Sequence, residues 1–166
     1  GKDQINLCVV ITSDRGLCGG FNSNIIKKAK NYFLKLIKDG KEIKIITVGS
    51  KGNDQLKRVY GNKIIENISF KNSKNTNYFD AEKVGKVIIE KFKKDEFDTC
   101  TIFYNQFKNV ITQIPQAQQI IPLKNNEDTG QNESKDNYEF EPDEDEILDN
   151  LLPKNISTQI FKAMLE

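Results

Sequence analysis

Short unbroken apolar runs alternate along this chain with longer stretches in which apolar residues return every three or four positions. The first rhythm belongs to a strand buried on both faces, the second to a helix with one inward face. Residues 5–11 (INLCVVI) are such a run, rich in β-branched side chains, and are predicted as a strand. Residues 12–20 (TSDRGLCGG) hold three glycines in five positions and read as a turn. Asn22 or Ser23 can cap the following helix, whose apolar face is Ile25, Ile26, Ala29, Phe33, Leu36 and Ile37. Gly40 fits the C′ position that stops it. Residues 43–48 form a second strand, Gly49-Ser50 opens a shorter helix to about Tyr60, and residues 64–70 form a third, edge-like strand. Asp80 can cap a helix with Val84, Val87, Ile88 and Phe92 inside. Residues 99–103 are the next strand. Phe107-Lys108-Asn109 separates it from residues 110–114 at hairpin-like spacing, and a further extended stretch covers 117–123, ending around Pro122.

Strands and helices in strict alternation predict an α/β fold: a Rossmann-like doubly wound sheet, here with an antiparallel edge hairpin. The chain divides into an α/β domain over residues 1–123, a polar, flexible loop over 124–137, and a strand and helix region over 138–166. In the last part, Glu141-Pro142-Asp143-Glu144 places acids where a helix dipole favours them. Pro153 suits the first turn of a final helix. Ile156, Ile160, Phe161, Met164 and Leu165 recur at helical spacing with no stop signal, so this helix is expected to continue in a longer chain. Its apolar face is expected to pack on the sheet or on a further helix.

Charge adds an asymmetry. Residues 127–150 carry eleven acids against Lys135, a net of −10. The whole chain is at +1 and residues 151–166 are at +1, which leaves +10 on the first 126 residues. The lysines there are spread and lack interleaved aromatics, so they read as solvated helix faces and not as a nucleic-acid surface. The acids of 141–149 lack the spacing of a calcium loop and read as a solvated helix start.

Composition removes whole classes of chemistry. With no histidine, a Ser-His-Asp triad, a Cys-His pair and a histidine-ligated metal are all excluded. Cys8, Cys18 and Cys100 form no metal-ligand pattern. Cys8 and Cys100 lie in or beside apolar strands and read as core. Cys18 sits in the glycine turn near a helix start, where a thiol can be acidified, but no base is at hand to use it. The turn itself, Ser13-Asp14-Arg15-Gly16-Leu17-Cys18-Gly19-Gly20, occupies the place where nucleotide folds hold phosphate. It matches neither GxGxxG nor a P-loop, and Asp14 opposes an anion. No catalytic, cofactor or metal residues are assigned. The bottom-up reading is a non-catalytic α/β module, with a nucleotide- or anion-binding domain of a small enzyme as the alternative.

The stretch ITSDRGLCGGFNSNIIK over residues 11–27 closely resembles the signature of the γ subunit of F-type ATP synthases. Three further pieces resemble that family in order and spacing: VGSKG at 48–52, FYNQFKNVITQIP at 103–115 with QQIIPL at 118–123, and YEFEP at 138–142 with ILDNLLP at 147–153. The resemblance implies a Rossmann-like foot that binds no nucleotide and roots a coiled-coil shaft through its C-terminal helix. It implies a central-stalk rotor that couples proton-driven rotation of the c-ring to ATP synthesis or hydrolysis elsewhere. The implied partners are the α and β catalytic subunits, the ε subunit (δ in mitochondria) and the polar loops of the c-ring. The implied interface residues are Asp14, Arg15, Gly16, Leu17, Cys18, Gly19 and Gly20. The place implied is the cytoplasmic face of a bacterial inner membrane, peripheral through the complex, or the matrix side of the mitochondrial inner membrane. A dithiol regulatory insertion of the chloroplast type is not expected, since no close cysteine pair occurs.

Overall fold

The structure is a computed structural model that describes residues 3–12, 19–70, 77–109, 112–122 and 151–165. Residues 13–18 of the turn expected at 12–20, the loop at 124–137 and the acidic helix start from Glu141 lie outside the described residues.

Five strands form one sheet in the order β3-β2-β1-β4-β5. They are β1 (Ile5–Ile11), β2 (Glu42–Val48), β3 (Ile64–Ile68), β4 (Thr99–Asn109) and β5 (Thr112–Ile121). β1 pairs in parallel with β2 and β4, β2 with β3, and β5 returns antiparallel along β4. Helices α1 (Gly19–Lys38), α2 (Ser50–Tyr60), α3 (Tyr78–Lys93) and α4 (Leu152–Leu165) cover the two faces, and one 3₁₀ turn, Gly61–Lys63, leads into β3.

The alternation within β1 shows why its sequence is apolar throughout. Cys8 and Val10 point into the layer under α1 and α2, with Ile25, Phe33, Ile45 and Leu56. Leu7, Val9 and Ile11 point into the layer under α3 and α4, with Val84, Ile88, Ile102 and Ile156. A strand buried on both faces has no polar side to show. Three edge-to-face aromatic contacts, Tyr32–Phe103, Phe33–Tyr60 and Phe33–Phe103, tie α1 to α2 and β4 in the first layer.

Several expectations are corrected. α1 starts at Gly19, and Asn22 is buried inside its first turns instead of standing before it as a cap. Ile37 is 45% exposed, because it falls at the margin of the stripe set by Ile25, Ala29, Phe33 and Leu36. At the other end the Gly40 expectation holds. Its φ is +78°, its N–H donates to the Ile37 carbonyl and Lys41 N–H donates to the Leu36 carbonyl, a Schellman stop. The cap of α3 is Asn77, whose side-chain oxygen accepts from Asp80 N–H at 2.9 Å. Asp80 is instead the first-turn acid and is buried.

The hairpin is longer than its pattern suggested. β4 runs on through Phe107-Lys108-Asn109, which read as a separator, and β5 is one strand where two stretches were expected. Pro115, between the two expected stretches, lies within β5 opposite Asn105. β5 is the sheet edge, where a residue without an N–H is tolerated.

α4 packs its Ile156, Ile160 and Ala163 into the layer shared with α3 and the sheet, while Phe161 and Met164 are half-buried and Leu165 is exposed. Tyr78 meets Phe161 edge-to-face at 5.5 Å.

Candidate functional site

Two places in this fold can carry function: the crest at the carboxyl ends of the parallel strands, and the cleft between the β4–β5 hairpin and α4. The crest is where doubly wound sheets bind ligands, because the connections from β1 and from β3 leave in opposite directions. Of the expected interface residues, Asp14, Arg15, Gly16, Leu17 and Cys18 lie outside the described residues. Gly19 and Gly20 are the first two residues of α1.

The neighbouring part of the crest is closed by the protein itself. α2 begins after Gly49, which has no side chain to cap it. The cap comes from another element. Thr12, just past β1, accepts the Gly52 N–H at its Oγ1 at 2.8 Å, the bond an N-cap side chain makes to the third helical residue. Thr12 N–H in turn donates to the Val48 carbonyl at 2.8 Å. Glycine is required for this approach: a β-carbon on Gly49 (φ +101°) would stand 2.2 Å from the Thr12 carbonyl oxygen. The helix N–H that could hold a phosphate here is therefore occupied by a hydroxyl. Farther along the crest, Thr47 Oγ1 donates to Asn67 Oδ1 at 2.8 Å and lies 3.3 Å from Asn53 Oδ1, tying β2, β3 and α2 together.

Both described thiols are chemically quiet. Burial pushes Cys8 and Cys100 well above the ordinary thiol range, so neither supplies a thiolate. Among the described residues, no three of His, Cys, Asp and Glu gather as a metal site would need. No described helix is long and apolar enough to cross a membrane.

The second place is a cleft of about 670 Å³ between the hairpin and α4. Tyr104, Gln106 and Gln118 form its hairpin wall, and Lys154, Thr158 and Lys162 line its helix wall. A chain of side-chain hydrogen bonds crosses it. Tyr104 OH donates to Gln118 Oε1 at 3.3 Å, Gln118 Nε2 to Gln159 Oε1 at 2.6 Å, and Gln159 Nε2 to Asn155 Oδ1. Thr12 and this amide chain gave no signal in the sequence, since each joins residues about 40 positions apart.

A family model described as ATP synthase matches residues 1–166. Over the same span the chain is 75% identical to the ATP synthase gamma chain of Pelagibacter ubique (strain HTCC1062). The chain belongs to the ATP synthase γ-chain family. The gamma chain of Rhizobium etli (strain CIAT 652) is 49% identical over 168 residues. The chain is matched over its whole length in both cases but spans only 57% of each relative.

The fold agrees with the γ-chain family. In a cryo-EM structure of the central stalk and c-ring of the Tetrahymena thermophila mitochondrial ATP synthase, a chain 24% identical superposes with a TM-score of 0.75, over 99% of this chain and 70% of that one. A chain of the Euglena gracilis mitochondrial ATP synthase rotor, 17% identical, gives 0.71 over 97% and 60%. These distant structures share the fold; the resemblance in sequence identifies the γ-chain branch.

Proposed function

We propose that this chain is the globular foot of the central-stalk rotor of an F-type ATP synthase. It receives rotation from the c-ring through the polar loops of that ring, holds the ε subunit (δ in mitochondria), and transmits twist along a shaft that continues α4. The shaft's asymmetry drives the α and β catalytic subunits through their affinity states in turn. The foot makes no ATP, holds no cofactor and is peripheral to the membrane, on the cytoplasmic face of a bacterial inner membrane. The residues at 14–20 face the catalytic subunits.

One observation carries this reading: identity of 75% to a gamma chain across every part of the sequence. Two physical features support it. Thr12 caps the start of α2 from the end of β1 and so ties two elements of the crest together, as a part that carries load needs. The sheet is packed on both faces, and close-packed interiors resist shear.

The test uses the full-length subunit assembled with its partners in vesicles. ATP-driven proton pumping should fall severalfold in Asp14→Ala and Arg15→Ala while the complex stays assembled; unchanged pumping in both removes these residues from the interface. Titration calorimetry of the subunit with ATP and ADP should show no saturable heat. Saturable binding would replace the rotor reading with that of a nucleotide-binding domain.

A further inference from the structure

α4 is held on two sides by contacts of different kinds. Toward α3 and the sheet the contact is apolar, through Ile156, Ile160 and Ala163. Contact of this kind is non-directional. The half-buried Phe161 and Met164 flank that stripe, so a small roll of α4 about its axis trades one apolar side chain for another. Ser157 seated against Gly85 fixes how closely α3 and α4 approach at one point. Toward the hairpin the contact is polar and directional, running from Tyr104 through Gln118 to Gln159 and Asn155.

We infer that the Gln118–Gln159 link, extended by Tyr104 and Asn155, sets the azimuth of α4 relative to the sheet. Gln118 and Gln159 each both donate and accept, and theirs is the bond that joins the hairpin to α4; Tyr104 and Asn155 orient its two amides, so the bond is satisfied over a narrow range of roll. A net hydrogen bond biases an equilibrium between two settings by roughly two- to tenfold, enough to select one of several nearly isoenergetic apolar packings. The positioning residues are Gln118 and Gln159; Tyr104 and Asn155 hold their amides in orientation. The mechanical consequence rests on the rotor reading: the azimuth of α4 becomes the angular offset between foot and shaft.

The experiment measures geometry in the full-length chain, so it is independent of whether the protein turns. Nitroxides are placed at Gln55 on α2 and Leu165 on α4, both exposed, with Cys18→Ser in the background; Cys8 and Cys100 are buried. Electron–electron distance measurement should give one narrow distribution in the parent. In the Gln118→Ala, Gln159→Ala double variant its width should at least double or a second distance should appear. Gln118→Glu with Gln159→Lys replaces the amide link by an ion pair and should restore the narrow distribution. A double-alanine variant as narrow as the parent overturns the inference. A charge-pair variant as broad as the double-alanine one overturns it too, since the link would then not be what sets the angle. If pumping by the complex is unchanged in the double-alanine variant while these distances behave as stated, the mechanical consequence fails and the azimuth inference stands.

Discussion

Ser157 sits directly on Gly85: a β-carbon added to Gly85 would stand 2.7 Å from Ser157 Oγ and 3.6 Å from its Cα. α3 and α4 meet here across the Ser157 hydroxyl, with no side chain from Gly85. Gly85→Val should cost about 2–3 kcal/mol, in the range of overpacked cores, by prising the helices apart. Gly85→Ala in a Ser157→Ala background removes the clashing oxygen, so it should recover about 1 kcal/mol of overpacking relative to Gly85→Ala alone. Urea unfolding of the three variants measures both.

The cap that Thr12 lends to α2 yields a second expectation. Thr12→Val keeps the shape and removes the acceptor for Gly52 N–H, which should cost about 1–2 kcal/mol, the usual loss for an N-cap. Gly49→Ala drives a β-carbon into a backbone carbonyl at a positive φ and should cost more than Thr12→Val. Equal losses in the two variants, read by thermal unfolding, would contradict this geometry.

The buried thiols predict a pH dependence. Burial raises Cys8 in the folded chain above its ordinary value near 9.0, and raises Cys100 likewise. Below pH 9 both states hold the protons and the thiols have no effect. Above it the unfolded chain releases them and the folded chain does not, so stability falls as pH rises. The slope is about 1.4 kcal/mol per pH unit for each thiol at its limit. Lysines and tyrosines titrate in the same window, so the measurement is a difference: the stability of the parent minus that of Cys8→Ala should shrink between pH 8 and pH 10.5.

Ile156 is fully buried between α3 and the sheet. Ile156→Ala should cost about 2–4 kcal/mol through the cavity it leaves. Hydrogen exchange should quicken along α4 and leave α1, on the opposite face, near its parent rate.

What the sequence disclosed follows from how local each cause is. The strands at 5–11 and 43–48, the end of α1 at Gly40 and the span of α2 were legible because each depends on residues within a few positions. The Asn77 cap was missed for Asp80 because both are good capping residues three positions apart, and only the extended backbone of Asn77 decides between them. The full length of β4 and β5 was hidden because Phe107-Lys108-Asn109 looks like a separator and Pro115 falls between two stretches. They become strand through pairing across the hairpin, Phe107 with Gln113 and Asn105 with Pro115. The fit of Thr12 to Gly49 and Gly52, and the amide chain across the cleft, arise only when distant segments meet. The family signature at 11–27 was the most informative stretch for function, and most of its turn lies outside the described residues.

β1 is the middle strand of the sheet, and its second neighbour arrives late: Asn6 pairs with Thr99, 93 residues on. A ribosome making this chain therefore releases the central strand long before one flank of it exists. Until β4 emerges, the β1 edge and the apolar residues above and below it have no mates, and such unpaired edges invite association between nascent chains. Closure over so long a separation is also slow. Assembly of this domain is thus governed by its last strands, and cells making it in quantity are expected to depend on chaperones during the interval before residue 109 is synthesised.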